Sequence, residues 1–384
     1  MFDNGTQQKK NILFITGTRA DYGKIKSLIR SVEDSDSFEA YVYVSGMHLL
    51  ETYGSTYKEV LKDNYKNVYV AFGLVYTQDM SYNLGDLICN LTGYVKNIKP
   101  DMIIVHGDRI DALAGAMVGA LNNIRVSHIE GGELSGTIDE SIRHAISKFS
   151  HLHFVSTEDA RNRLVQLGEA GDRIFIIGSP DIDIMLSDKL PTIEMAKRRY
   201  DINFEQFSLL MYHPVTTEYE KIGQNIKALV DAVIDSDENY IVIYPNNDLG
   251  SEVILNEYRR FNNNNRFLIY PSIRFEYFLT LLKSASFMIG NSSAGVRETS
   301  VYGIPCIDVG SRQSNRYNPE VIRNIQHVEE KYDDILTAIK QIDNYRVKNK
   351  IFGNGNSTEH FIKTIENEEI WKLPIQKNFV DLDW

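Results

Sequence analysis

The sequence predicts an α/β protein of two Rossmann-like, doubly wound domains that face each other across a cleft. Short β-branched apolar runs alternate with amphipathic helical patterns in both halves of the chain, which is typical of βαβ units and parallel sheets. The 384 residues exceed what one hydrophobic core usually supports, so two domains are expected. Polar residues and glycines follow the apolar runs, at the sheet edge where open α/β folds bind ligands.

The first half contains alternating strands and helices. Strands are predicted at 11–17, 38–45, 67–72, 102–105, 125–129, 153–156 and 173–177. Helices are predicted at 25–32, 79–98, 112–120 and 157–167, and Lys99-Pro100 ends the second of them. The alternation implies right-handed crossovers and one parallel sheet.

The alternation pauses at 178–190, where we predict the boundary between a first domain, 1–178, and a second domain, 179–357. It then resumes with predicted strands at 208–212, 240–244, 267–270, 287–289 and 304–309. The last stretch, 358–384, has a helical pattern followed by irregular sequence. We expect it to pack back on the first domain.

Composition and charge restrict the classes of function. Hydrophobic residues make up 43% and charged residues 24% of the chain, as in an ordinary globular enzyme. The net charge of −11 argues against non-specific binding to nucleic acid or to an anionic membrane. An anionic ligand must therefore be held by local cations. Cys89 and Cys306, far apart in sequence, fit a reducing compartment, and the N-terminus lacks a signal peptide, so a cytoplasmic protein is expected.

Carboxylates follow two consecutive strands of the first half. His106, Asp108 and Arg109 come after the strand at 102–105, and Glu130 opens a Gly-Gly loop after the next strand. Asp139 arrives on the loop that follows. Because parallel strands end at the same edge, these acids should meet, and paired carboxylates are the usual equipment for proton transfer.

Each acid also has a structural explanation. Asp108 could cap a helix, Asp139 and Glu140 could occupy the first turn of the next helix, and Glu130 could pair with Arg143. For any acid alone the structural role is the more common one. Their occurrence together at consecutive strand ends favours a functional site.

Other strand ends offer cations and hydrogen-bond donors. Arg19 and Lys24 flank a helix start that could bind phosphate, or could simply be solvated, and His48 follows the next strand. In the second half, a Gly/Ser loop at 290–295 could present donors to a diphosphate, with Glu298 about a turn and a half into a helix and able to bind ribose hydroxyls. A plain serine cap is the alternative. Two such domains face to face describe the GT-B architecture.

Several motifs, in order and across nearly the whole chain, resemble the hydrolysing UDP-N-acetylglucosamine 2-epimerases of bacterial sialic acid synthesis. They are GTRADYGK at 17–24, HGDR at 106–109, HIEGGE at 128–133, SIRHAISK at 141–148, HPVTTE at 213–218, YPNND at 244–248, GNSSAGVRE at 290–298 and GSRQSNR at 310–316. The resemblance implies a GT-B fold and the conversion of UDP-N-acetylglucosamine and water to N-acetylmannosamine and UDP. It also implies that no metal or nicotinamide cofactor is needed, and a homo-oligomer, a dimer or tetramer, is expected.

The resemblance also assigns expected roles to matching positions. It implies that Asp108, Glu130, Asp139 and His213 are catalytic. Expected substrate-binding residues are Arg19, Lys24, His48, Arg109, Asn246, Phe278, Ser292, Ser293, Glu298 and Arg312. Among these, Phe278 would cover the uracil, although Phe275 in the same helical pattern is an equal candidate from the sequence.

Four other functions are compatible with parts of this pattern. A non-hydrolysing 2-epimerase shares the fold and returns a UDP-sugar, and a GT-B glycosyltransferase would need an acceptor site. A nucleotide-sugar sensor would lack the three acids. A hydrolysing 2-epimerase of a nucleotide-linked 2,4-diacetamido-trideoxyhexose, which leads to legionaminic acid, differs least, because only the pocket around C4 and C6 and the base would change.

Overall fold

The computed structural model describes residues 9–77, 79–135, 137–349 and 351–381, which form two parallel sheets with helices on both faces. Within these ranges the first sheet has seven strands: β1 (Lys10–Thr16), β2 (Phe38–Val44), β3 (Val68–Val70), β4 (Met102–His106), β5 (Arg125–Ile129), β6 (Leu152–Val155) and β7 (Ile174–Ile176). Its order is β3-β2-β1-β4-β5-β6-β7, and every pairing is parallel.

The second sheet repeats this topology. Over the same described ranges its six strands are β8 (Ser208–Met211), β9 (Tyr240–Ile243), β10 (Phe267–Tyr270), β11 (Met288–Gly290), β12 (Cys306–Val309) and β13 (Ile325–Val328). The order β10-β9-β8-β11-β12-β13 matches that of the first six strands of the other sheet. The strand order reverses between β1 and β4 and between β8 and β11, and such switch points are where doubly wound sheets bind ligands.

The helices connect these strands. In the first half they are α1 (Arg19–Glu33), α2 (Tyr57–Lys62), α3 (Met80–Ile98), α4 (Ile110–Leu121), α5 (Ile138–Phe149) and α6 (Glu158–Gln166). They continue as α7 (Pro180–Met185), α8 (Ile193–Arg199), α9 (Ile222–Asp235), α10 (Ser251–Tyr258), α11 (Phe275–Ser284), α12 (Glu298–Tyr302), α13 (Tyr332–Lys340), α14 (Ser357–Glu366) and α15 (Glu368–Lys372). Among the described residues, no helix combines the length and apolar character that crossing a membrane requires.

Both faces of each sheet are buried in apolar cores, which explains the unbroken apolar runs in the sequence. All residues of β4 and β5 are buried. A parallel strand covered on both faces has no solvated side, so it does not alternate polar and apolar residues. Most polar residues therefore lie beyond the strand ends, although β5 itself contains Arg125, Ser127 and His128.

Three features differ from the sequence prediction. Helix α1 begins at Arg19 and not at Ile25, because Thr18 and Asp21 form a reciprocal capping box at its start. The segment in which the alternation pauses contains the short helices α7 and α8. Strand β13 was not predicted, and it pairs with β12 as an edge strand of only four residues.

Two chain crossings connect the sheets, and they run side by side. Gly178 (φ +80°) lies in the first crossing and Gly353 (φ +132°) in the second. A Cβ on Gly178 would approach the Cα of Gly353 to 3.4 Å, and the amide of Ser179 donates to the carbonyl oxygen of Phe352 at 2.9 Å. Glycine permits both the positive φ and this close approach. The domain limits at 178 and 357 stay a prediction.

After the second crossing the chain returns to the first sheet. Phe361 and Ile365 of α14 and Ile370 of α15 are buried in the same core as β1 and β2. Residues beyond α15 are held to the first half by polar contacts. Arg125 donates to the carbonyl oxygen of Leu373 at 2.7 Å, and a ring nitrogen of His151 lies 2.8 Å from that of Ile375.

We predict that Phe361→Ala lowers the free energy of unfolding by about 3–5 kcal/mol, the usual effect of truncating a buried phenylalanine. The side chain is fully buried and packs edge-on against Phe154 of β6. Phe379→Ala is the matched control, because Phe379 is 89% exposed. Urea unfolding followed by circular dichroism measures both. Equal effects of the two substitutions would contradict this packing.

Candidate functional site in the cleft between the two sheets

A cavity of about 280 Å³ lies between the carboxyl ends of the two sheets. All but one of the site residues that the sequence predicts line it: Arg19, Lys24, Asp108, Arg109, Glu130, Asp139, His213, Asn246, Phe278, Ser292, Ser293, Glu298 and Arg312. Among the described residues, seven Lys and Arg side chains and five Asp and Glu side chains line this cavity. The cleft is therefore cationic within a chain of net charge −11, which suits an anionic ligand.

Asp108 is surrounded by guanidinium groups. It follows β4, accepts a hydrogen bond from Ser135 Oγ at 3.1 Å and forms a salt bridge with Arg143 of α5. Burial opposes its ionisation, but Arg143, Arg316 and Arg109 outweigh burial and hold the pKa of Asp108 below its usual range. Asp108 is thus an ionised carboxylate at neutral pH. It is not a helix cap, because Arg109 occupies the cap position of α4.

Glu130 is buried at the end of β5 in a left-handed backbone conformation, with φ of +62°. Its carboxylate contacts Arg297, Ser179 Oγ and, at 3.2 Å, Nε2 of His106. Burial raises the pKa of Glu130, but Arg297 and Lys24 more than offset this, so the pKa is well below the ordinary value. The alternative pairing of Glu130 with Arg143 is wrong, because Arg143 reaches only the main-chain oxygen of Glu130, at 2.7 Å.

Asp139 has the opposite electrostatic environment. It lies in the first turn of α5, is 7% exposed, and meets Arg312 of the second half at 3.5 Å. Burial and the negative charge of Asp108 raise the pKa of Asp139, and Arg312 only partly opposes them. Carboxyl groups in one site whose pKa values diverge are suited to act as base and acid.

His213 is held in one tautomer. The amide of Asn246 donates to Nδ1 at 3.0 Å, so the proton of the neutral ring is on Nε2. Burial and the charge of Arg312 lower the pKa of His213 to about 3. The side chain of Asn291 fixes the backbone of His213, because it accepts from the amide at 2.6 Å and donates to the carbonyl oxygen at 2.9 Å. The ring can therefore donate a hydrogen bond through Nε2.

Arg109 forms a bidentate salt bridge across the cleft with Asp248, at 3.0 and 2.8 Å. Asp248 also accepts from the side-chain amide nitrogen, Nδ2, of Asn246 at 2.5 Å. A planar guanidinium engaged through two nitrogens is fixed in direction as well as position. The contact holds the two halves of the cleft together.

Lys24 is buried between two carboxyl groups, at 3.3 Å from Asp181 and 3.7 Å from Glu298. Burial and the nearby Asp181 raise the pKa of Glu298, while Lys24 lowers it. Glu298 is the first residue of α12, so its predicted position a turn and a half into the helix is wrong. The preceding loop forms a short 3₁₀ turn at Ser293–Gly295, which delays the start of the helix.

The remaining predicted cations and the serine loop lie on either side of this cluster. Arg19 pairs with Glu59 at 2.5 Å, while its Nε and Nη1 have no hydrogen-bond partner among the described residues. Ser292 caps the 3₁₀ turn through a 3.4 Å contact from the amide of Ala294. Arg312 donates to the carbonyl oxygen of Asn291 at 3.1 Å, which directs it toward the same loop. Ser292 therefore caps this turn and also lines the cavity.

The structure separates the two candidate phenylalanines of α11. Both line the cavity and are 7% exposed. Phe275 packs against Gly23 of α1, where an added Cβ would come within 2.5 Å of its ring. Phe275 therefore closes the contact between the two halves, and Phe278 stays the predicted ring for a planar ligand.

His48 is the predicted site residue that does not line the cavity. The chain turns inward after β2, in a 3₁₀ turn at Gly46–Leu49, and the ring becomes fully buried. Its Nε2 lies 3.1 Å from Thr16 Oγ1 and its Nδ1 lies 2.7 Å from Thr56 Oγ1. Burial lowers the pKa of His48 to about 4. The ring thus contacts Thr56, which lines the cavity, but does not line the cavity itself.

Three arginines of the cavity were not predicted as site residues: Arg143, Arg297 and Arg316. Arg297 and Arg316 lie inside the motifs at 290–298 and 310–316, and Arg143 lies in that at 141–148. These arginines could have been identified as site residues because each is a basic residue inside a motif beside a predicted acidic site. Their partners, however, are distant in sequence and could not be predicted from local pattern.

The chain is similar in sequence to known proteins. The sequence profile of the family described as UDP-N-acetylglucosamine 2-epimerase matches residues 30–366. A UDP-N-acetylglucosamine 2-epimerase from Neisseria meningitidis is 47% identical over 379 residues, covering 97% of this chain and 100% of the relative. A Legionella pneumophila protein named UDP-N,N′-diacetylbacillosamine 2-epimerase (hydrolyzing) is 32% identical over 365 residues, covering 93% and 96%.

The fold is also similar to solved structures. The crystal structure of the Methanocaldococcus jannaschii UDP-GlcNAc 2-epimerase in complex with UDP-GlcNAc and UDP matches with a TM-score of 0.79 at 22% identity. The match covers 93% of this chain and 99% of that one. The predicted GT-B fold is thereby confirmed.

We predict that His213 stays neutral between pH 5 and 8 with its proton on Nε2, because burial and Arg312 lower its pKa to about 3 and Asn246 occupies Nδ1. Long-range ¹H–¹⁵N correlation spectra of histidine-labelled protein measure both the tautomer and the titration. His213→Gln assigns the signal. A proton on Nδ1, or a titration within this pH range, would contradict the prediction.

Proposed function

The chain belongs to the UDP-N-acetylglucosamine 2-epimerase family, and we propose that it is a hydrolysing enzyme that converts UDP-N-acetylglucosamine and water to N-acetylmannosamine and UDP. One observation carries the proposal. Three carboxyl groups with different proton affinities, Asp108, Glu130 and Asp139, converge in one cavity with the cations of the opposite sheet. Proton transfer at a sugar carbon and departure of a diphosphate need these two kinds of group.

The reaction proceeds by elimination and then hydration. A carboxylate takes the proton from C2 of the sugar, the C1–O bond breaks, and its electron pair leaves with UDP, which gives 2-acetamidoglucal. An acid then returns a proton to C2 on the opposite face, and the oxygen of water bonds to C1. Water loses a proton in this step, so the sum is hydrolysis with inversion at C2.

The pKa directions support a division of these roles. Asp108 and Glu130 have lowered pKa values and are present as carboxylates, so they are the candidate bases. Asp139 has a raised pKa and is the candidate acid for C2 in the hydration step. Neutral His213 donates a hydrogen bond through Nε2 to the sugar or the diphosphate.

The second half supplies the groups for the nucleotide. Ser292, Ser293 and Arg312 provide donors for the diphosphate, together with Arg19 from α1. Glu298, beside Lys24, accepts from the ribose hydroxyls, and Phe278 covers the uracil. Cationic groups stabilise the negative charge that develops on the leaving diphosphate.

Two arguments support the hydrolysing type and the simpler sugar. The motifs HIEGGE and SIRHAISK resemble the hydrolysing enzymes, and the 32% identical Legionella protein carries that activity in its name. The identity of 47% to the Neisseria UDP-N-acetylglucosamine 2-epimerase favours UDP-N-acetylglucosamine over a diacetamido-trideoxyhexose. We propose that the product enters sialic acid synthesis, and the legionaminic acid route is the second candidate.

We predict that, in deuterated water with UDP-N-acetylglucosamine alone, the protein releases UDP and N-acetylmannosamine that carries deuterium at C2. The deuterium comes from solvent because the C2 proton is lost to a carboxylate and replaced. A ¹H NMR time course measures this, and UDP-N,N′-diacetylbacillosamine in a parallel reaction tests the second candidate. UDP-N-acetylmannosamine as the product would contradict hydrolysis, and protium retained at C2 would contradict elimination.

We also predict that Asp108→Asn, Glu130→Gln and Asp139→Asn each lower turnover by about 100-fold or more, the usual effect of losing an acid or base. Asp139→Asn should slow hydration more than elimination, so that 2-acetamidoglucal accumulates with UDP. Glu158→Gln is the control, because Glu158 is also a first-turn carboxylate, on α6, but its side chain is 60% exposed. Near-normal turnover in all three amide variants would contradict the catalytic roles and indicate that the acids are structural.

A further inference from the structure

Arg297 connects the second sheet to the buried Glu130 of the first. Arg297 is 6% exposed and forms salt bridges with Glu130 and, at 3.1 Å, with Glu133. It also donates to Ser179 Oγ at 2.5 Å, and its guanidinium carbon lies 5.2 Å from the ring centre of Phe352. One side chain therefore touches Glu130 and residues of both chain crossings between the sheets.

We propose that Arg297 is a positioning residue that, from the second half of the chain, aligns the Glu130 carboxylate and keeps it ready to accept a proton. The proposal rests on the proposed function, because Glu130 is there a candidate base. Arg297 itself acts through Glu130 and needs no contact with the reacting carbon.

The contact between Arg297 and Glu130 lies beside the two chain crossings. Ser179 and Phe352 lie next to Gly178 and Gly353, whose positive φ values and close approach mark the place where the two halves are joined. Arg297 belongs to the second half and Glu130 to the first, so the contact depends on how the two halves are joined here.

Arg297 is one of several charged groups around Glu130, and they come from every neighbouring element. They are Lys24 on α1, His106 at the end of β4, Glu133 on the following loop, Arg143 on α5, Asp181 on α7 and Glu298 on α12. Lys24 is already shared with Asp181 and Glu298. Arg143 is engaged by Asp108 and reaches only the main chain of Glu130.

Removing Arg297 therefore takes away the first of the cations that oppose the effect of burial on the Glu130 side chain. Burial raises the pKa of Glu130, and Arg297 is the first of the cations that oppose it. A carboxylate with a raised pKa is protonated at a higher pH and then cannot serve as a base. Activity that needs ionised Glu130 is consequently lost at a higher pH when Arg297 is absent.

The first experiment measures kcat and KM against pH for wild type, Arg297→Lys and Arg297→Met. For Arg297→Met we expect the acid limb of the kcat profile to move up by about one pH unit or more, the size usual for losing a close opposite charge. The kcat should fall more than KM rises, and Arg297→Lys should lie between. Arg260→Met is the control, because Arg260 forms only exposed salt bridges. An unshifted acid limb, or a loss confined to KM, would overturn the proposal.

A second measurement decides the matter if Arg297→Met is inactive. We expect Glu130→Gln to lower the thermal midpoint in the wild-type background and to raise it in the Arg297→Met background, because it relieves an unpaired buried charge. Effects that simply add would overturn the coupling. This double-mutant cycle does not depend on turnover. If the wild-type protein did not hydrolyse UDP-N-acetylglucosamine, the proposed function would be contradicted, but the cycle would still test the coupling between Arg297 and Glu130.

Discussion

The cleft depends on the pairing of buried carboxylates with cations, because an isolated charge in a protein interior costs several kcal/mol. For Glu130 and Asp139 those cations are Arg297 and Arg312, which belong to the opposite sheet. The first half alone therefore lacks these partners for two of its three carboxylates. The cavity is an electrostatic property of the two sheets together, and the chain joins them where glycines allow close approach.

Much of the fold could be predicted because its physical causes are local. A parallel strand buried on both faces is commonly an apolar run, and Met102–Val105 of β4 is such a run, whereas β5 is buried although it contains Arg125, Ser127 and His128. Helix α1 starts at Arg19 because of a capping box formed by Thr18 and Asp21. The residues of this first turn are polar, so the sequence pattern there is typical of a loop. Strand β13 is short, lies at a sheet edge and is only partly buried. Its sequence therefore lacks the apolar run that would predict a strand.

The acids of the site could be predicted from topology, since parallel strands end at one edge whatever their separation in the chain. Their electrostatic states could not. The lowered pKa of Glu130 depends first on Arg297, 167 residues away, and no local pattern records that pairing. His48 shows a limit of this reasoning, because a strand end predicts the edge of the sheet but not the direction of the turn that follows. A single 3₁₀ turn moves its ring from the cleft into the core.

The return of the chain to the first sheet affects the order in which the protein can be completed during synthesis. The core beneath β1 and β2 needs Phe361, Ile365 and Ile370, which leave the ribosome only after the whole second sheet has been made. The second sheet has its strands in one continuous segment and can fold as it emerges. The first sheet, with the three carboxylates, waits with part of its core exposed. Nascent chains arrested before α14 should therefore be the species that chaperones and proteases recognise.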